Sequence, residues 1–130
     1  MRILLVEDEP TTVTIIQAAL RNAEFVVDTT NLGEIGFALA KSFRDYDIII
    51  LDLMLPDLQG QDLLQRLRAD GVQTPVLILS GLHQLDAKLD GFRLGADDFM
   101  TKPFAHAELV ARVGAIVRRS RGIGPARLAS

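Results

Sequence analysis

The chain has 130 residues, 48% of them hydrophobic and 24% charged, with a formal net charge of -3. That is the balance of one globular domain, long enough to bury roughly two-thirds of its unfolded surface. There is no cysteine, which excludes disulfides, thiolate metal sites and cysteine nucleophiles. No apolar run approaches the ~18 residues of a membrane span, and the first predicted strand begins almost at Met1, leaving no room for a signal peptide. The expected location is therefore the cytoplasm. The negative charge argues against general nucleic-acid affinity by this domain. Arg112, Arg118, Arg119, Arg121 and Arg127 nevertheless crowd its C-terminal end, where basic residues also suit a solvated helix terminus.

Residues 3–6 form a short apolar run that ends abruptly in Glu7, Asp8 and Glu9 and reads as a first strand. Pro10 suits the first turn of the following helix, whose apolar positions Val13, Ile16 and Leu20 are three and then four apart. Residues 25–30 alternate weakly and read as a second strand. A second helix is predicted over 32–43, with Ile35, Leu39 and Phe43 on one face. The stretch YDIIILDLMLPD from Tyr46 to Asp57 follows, and the rest of the chain is organised around it. Its continuous, β-branched-rich run reads as a strand over 47–53 buried on both faces of a parallel sheet. Leu63, Leu64 and Leu67 mark a third helix closed by Gly71. A fourth strand is predicted over 76–79, a polar fourth helix over 84–94, a fifth strand over 97–100 and a last helix over 107–118. Gly122, Gly124 and Pro125 break any pattern beyond it. Regular βα units imply an all-parallel, doubly wound sheet covered on both faces.

Several of these strands end in polar residues that an apolar core does not require. Glu7 and Asp8 close the first, Asp52 the third and Ser80 the fourth, and Lys102 comes just after the fifth. In this topology the strand C-termini share one sheet edge, where ligands of open α/β sheets bind. Converging carboxylates are stable only beside compensating cations. Hard oxygen donors in a shallow, hydrated site suit Mg²⁺, and a carboxylate nucleophile such as Asp52 can form an acyl phosphate. Taken singly, each residue has a plainer role as a helix-dipole acid, a turn former or a surface lysine.

The segments VEDEP, DLMLPDLQG, LSG and GADDFMTKPF together resemble the receiver domain of bacterial two-component response regulators, over residues 1–119. Residues 120–130 look like a linker toward an output domain. The resemblance implies a flavodoxin-like (βα)5 sheet of order 2-1-3-4-5. It also implies phosphoryl transfer from a sensor histidine kinase onto Asp52, a switching module and not a conventional enzyme. Asp8, Asp52 and the backbone carbonyl of Met54 would ligate Mg²⁺, with Glu7 acting through water. Ser80 and Lys102 would contact the phosphoryl group, and Phe99 would be the aromatic whose position follows Ser80. Ser80 stands where threonine is common and Phe99 where tyrosine is frequent, so switching here would rest on burial of the ring. Gln59 replaces an acid often seen before Gly60.

Charged residues at the C-terminal end resemble those of the OmpR/PhoB subgroup, which dimerises through the fourth helix, fifth strand and last helix. The interchain pairs would be Lys88–Glu108, Asp98–Arg112 and Asp97–Arg119, each occurring twice in an isologous dimer. That subgroup acts on transcription through a DNA-binding domain, so DNA would be reached only through such a domain. Three other readings fit these residues less well. A small-molecule phosphatase needs a general acid two residues after its nucleophile, where Met54 stands. A flavin binder needs a phosphate-cradling loop where VEDEP stands. A phosphorylation-independent receiver usually lacks one of the acids or the lysine, and none is lost here; a stand-alone receiver would act by protein–protein interaction.

Overall fold

A computed structural model describes residues 1–43, 45–81 and 95–120. The predicted helix over 84–94 with Lys88, and the tail with Arg121 and Arg127, lie outside the described residues. In chain order the elements are β1 (Arg2–Val6), α1 (Pro10–Asn22), β2 (Val26–Thr30), α2 (Gly33–Ser42), β3 (Ile48–Asp52), α3 (Gly60–Ala69), β4 (Val76–Ser80), β5 (Asp98–Thr101) and a C-terminal helix (His106–Ser120). All strand pairs are parallel, and the sheet order is β2-β1-β3-β4-β5. The expected doubly wound fold is therefore the observed one, with predicted boundaries mostly within a residue or two.

Alternation along the strands divides the core in two. Leu4, Val6, Ile49, Leu51 and Ile78 face one layer with Leu63, Leu64 and Leu67 of α3. Ile3, Leu5, Ile48, Ile50 and Leu79 face the other, with Ile16 and Leu20 of α1 and Leu109 and Val113 of the C-terminal helix. Each fully buried leucine of α3 contributes roughly 1.5–3 kcal/mol by its removal from water, which fixes the helix against β3 and β4. α1 starts where the sequence places it. Pro10 occupies the first turn, and the Glu9 carboxylate accepts from Thr11 N (3.2 Å) and Thr12 N (2.7 Å).

α2 departs from expectation. Ile35 and Phe43, predicted to face inward with Leu39, are both 48% exposed. The inward residues are Gly33, Gly36 and Ala40, with Leu39 packed partly against the core. A Cβ on Gly36 would lie 2.8 Å from Val6 Cγ2, so the helix comes too close to β1 for a large side chain there. Counting only bulky apolar residues therefore picked the wrong stripe.

Candidate functional site

Parallel pairing brings the predicted residues to one edge of the sheet. Leu51 is paired with Val6 and Asp52 with Leu79, so Glu7, Asp52 and Ser80 leave adjacent strands side by side. Ser80 is buried and pairs with Thr101. Its carbonyl accepts from Lys102 N at 2.7 Å, which holds the lysine backbone beside β4.

Lys102 Nζ donates to Glu7 Oε1 at 2.5 Å and lies 3.4 Å from Asp52 Oδ2. The other Asp52 oxygen accepts from Met54 N at 3.1 Å. Glu7 Oε2 accepts from Asp8 N at 3.0 Å, so the first acid is held from both ends. Carboxylate oxygens of Glu7, Asp8 and Asp52 lie within 4.8 Å of one another. Above them opens a cleft of about 530 Å³ lined by Asp8, Glu9, Pro10, Asp52, Met54, Gly81 and Lys102. Asp8 is exposed, whereas Glu7 and Asp52 are 1% and 6% exposed.

Burial, reinforced by Asp52, pushes the Glu7 carboxyl up to about 7 against the opposing pull of Lys102. Burial alone would lower the Lys102 ammonium, but Glu7 and Asp52 together leave it above its ordinary value. Three carboxylates thus face one ammonium, an arrangement short of positive charge. Hard oxygens with a solvent-facing opening fit a divalent cation that keeps part of its water shell.

Phe99 is 5% exposed and packs in the same layer as Leu51 and Ile78, one strand away from Ser80. Four of the charged residues expected at a dimer face, Asp97, Asp98, Glu108 and Arg112, have ionic partners within the chain. Arg112 Nη1 contacts Asp98 at 3.0 and 2.8 Å and Arg112 Nε lies 3.7 Å from Glu108. Asp97 lies 3.6 Å from Arg68.

Two contributors escaped the sequence reading. Asp57, read only as part of a loop, accepts from Gly33 N (2.8 Å) and Glu34 N (3.0 Å) and so ties the segment after Asp52 to α2. Gly60 packs against the backbone of Asp52 itself. The hint lay in the segment PDLQG, whose turn formers follow the acid at short range.

A 2-1-3-4-5 parallel sheet with a buried carboxylate, two further acids, a hydroxyl and a lysine on its carboxyl edge defines a signalling receiver. Residues 3–114 match the response regulator receiver domain family, and the chain belongs to that family, whose role is not that of a classical enzyme. It is 52% identical over 122 residues to the cell cycle response regulator CtrA of Brucella ovis, covering 94% of this chain and 52% of that protein. The chain thus spans about half the length of such curated relatives. Among solved structures, the receiver domain of the Francisella response regulator 1452 is 32% identical with a TM-score of 0.86, covering 92% of this chain and 98% of that one. The receiver domain of the sensor histidine kinase PA1611 of Pseudomonas aeruginosa, with magnesium coordinated in its active-site cleft, is 31% identical with a TM-score of 0.81 and covers 89% and 96% of the two chains. Among the described residues no helix is long and apolar enough to cross a membrane.

Proposed function

We propose that this chain takes a phosphoryl group from a sensor histidine kinase onto Asp52, in the cytoplasm. A carboxylate oxygen of Asp52 attacks phosphorus, and the P–N bond to the kinase histidine breaks as the new O–P bond forms. The departing ring nitrogen keeps the electron pair. Hydrolysis reverses the modification: water adds to phosphorus, the O–P bond breaks, and phosphate leaves the restored carboxylate. We assign Asp8, Asp52 and the Met54 carbonyl as direct Mg²⁺ ligands and Glu7 as a ligand through water. When bound, Mg²⁺ would supply neutralisation of charge on the transferred oxygens. Lys102 exchanges part of its contact with Glu7 for a phosphoryl oxygen, and the Ser80 hydroxyl donates to another.

Movement of Ser80 toward the phosphoryl group leaves room that the Phe99 ring fills, shifting β5 and its neighbours between two packed arrangements. We read the consequence as a two-fold dimer using Lys88, Asp97, Asp98, Glu108, Arg112 and Arg119. Such a dimer pairs two copies of a DNA-binding output domain that controls transcription. The relatives' greater length supports an output domain following a receiver over 1–119 and a linker over 120–130.

The observation that carries the reading is the meeting of Asp8, Glu7 and Lys102 around Asp52. It is tested by incubating the chain with Mg²⁺ and acetyl phosphate or phosphoramidate and recording intact mass. One phosphoryl adduct is expected, absent from Asp52→Asn. A wild-type chain without an adduct overturns the reading in favour of a phosphorylation-independent receiver.

A further inference from the structure

Arg68, at the end of α3, is committed to the opposite edge of the sheet from Asp52. Its Nη1 donates to the carbonyl oxygens of Val72 (2.8 Å) and Thr74 (2.9 Å), and its Nη2 to that of Gly95 (2.9 Å). Carbonyls supply hydrogen bonds but no net charge, and this side chain is only 23% exposed. A partly desolvated cation needs a carboxylate nearby, and the one it has is Asp97, at 3.6 Å. Asp97 is held in turn by Val76 N, which donates to its Oδ2 at 2.9 Å.

The dimer reading above asks the same Asp97 to pair with Arg119 of a second copy. Arg119 is exposed and has no carboxylate partner among the described residues. Its neighbour Ser120 lines a groove with Thr74 and Pro75, the loop that Arg68 grips. Both cations therefore belong to the same edge of the molecule. The pair Asp98–Arg112 differs, because it is already closed within each chain. Exchanging it for two identical interchain pairs conserves the number of contacts and adds little net affinity.

We propose that Arg68 competes within the chain for Asp97 and so restrains self-association, a restraint relieved only when Arg119 of a second copy takes its place. Arg68 keeps its carbonyl acceptors after the exchange, so what it gives up is one loose ion pair. Arg119 gains a carboxylate that it lacks alone. The inference rests on the dimer reading, and the experiment separates the two.

Sedimentation of the 130-residue chain, with Mg²⁺ and beryllofluoride as the phosphoryl mimic, gives the dimer dissociation constant. Arg68→Gln, which retains hydrogen-bond donors but no charge, is expected to tighten the dimer by about three- to tenfold, since two exposed pairs each change by a fraction of a kcal/mol. In the Asp97→Asn background the same substitution is expected to change nothing. An unchanged constant in folded Arg68→Gln, or equal tightening in both backgrounds, overturns the inference alone. A chain that stays monomeric in every form overturns the dimer reading and the inference with it. Where Arg68→Gln does not fold, the guanidinium NMR signals of Arg68 in the unsubstituted chain decide. They are expected to shift on dimerisation, and signals that stay fixed in the dimer overturn the inference.

Discussion

Asp57 closes the N-terminus of α2 from a distance of 24 residues in sequence, its Oδ1 accepting from Gly33 N at 2.8 Å. The residue in the N-cap position, Leu32, has no side chain able to do this. The orphan amides of the first turn are instead satisfied by the loop that follows Asp52. That couples the position of the loop to α2.

The cap has a pH signature. The amides of Glu34 and then Gly33 hold the Asp57 carboxyl below its ordinary value of 3.8. A depressed folded value means a contribution that is complete above the unfolded value and lost as pH falls through the folded one. Asp57→Ala should therefore lower the urea midpoint at pH 7. Its deficit should shrink as pH falls below about 4. A deficit that stays constant from pH 7 to pH 3 would show that the carboxylate charge contributes nothing to the cap.

Gly60 is the second hidden support. A Cβ at that position would stand 2.4 Å from the Asp52 carbonyl oxygen and 2.7 Å from Leu53 Cα, and both obstacles are backbone. Gly60→Ala must therefore move either α3 or the end of β3, at a cost of about 1–3 kcal/mol typical of overpacked sites. Denaturant unfolding is expected to show that loss, and acetyl phosphate labelling of the folded variant is expected to slow. Wild-type stability and labelling together would mean that the helix can withdraw without disturbing Asp52.

Legibility divided along a physical line. β1, β3 and β4 announce themselves because strands buried on both faces are continuous apolar runs, and Asp52, Asp8 and Lys102 stand out as polar residues where such runs stop. The inward face of α2 was misread because close approach to Val6 selects glycine and alanine, which carry almost no hydrophobic signal. Asp57 and Arg68 were unreadable for another reason. Each bonds backbone groups of segments brought near only by folding, and no periodicity or motif spacing encodes a partner's amide or carbonyl.

Among the described residues Lys102 is the cation paired with Glu7 and Asp52, so its removal should act in opposite directions on two measurements. Lys102→Met deletes a positive charge that repels a divalent cation. Calorimetric titration should show Mg²⁺ binding tighter by about three- to tenfold, the scale of one screened charge a few ångströms away. Phosphoryl acceptance should fall, because the amine proposed to contact a phosphoryl oxygen is gone. Weaker Mg²⁺ binding would mean that Lys102 chiefly positions Glu7 and does not compete with the ion.

Phe99 offers the sharpest test of the switch. Its ring is buried with Leu51 and Ile78, where a phenol hydroxyl would enter an apolar layer and cost about 1–3 kcal/mol without a hydrogen-bond partner. Phe99→Tyr should therefore destabilise the arrangement in which the ring fills the room left by Ser80 more than one in which the ring stays nearer the surface. The population shifts by that difference. Dimerisation of the phosphorylated form should change, with measurable association requiring higher protein concentration than in the wild type. Phe99→Leu keeps the site apolar while reducing its size and should stay closer to wild type in the resting state. Identical dimerisation of wild type and Phe99→Tyr, with both proteins folded and labelled on Asp52, would remove the ring from the switching pathway.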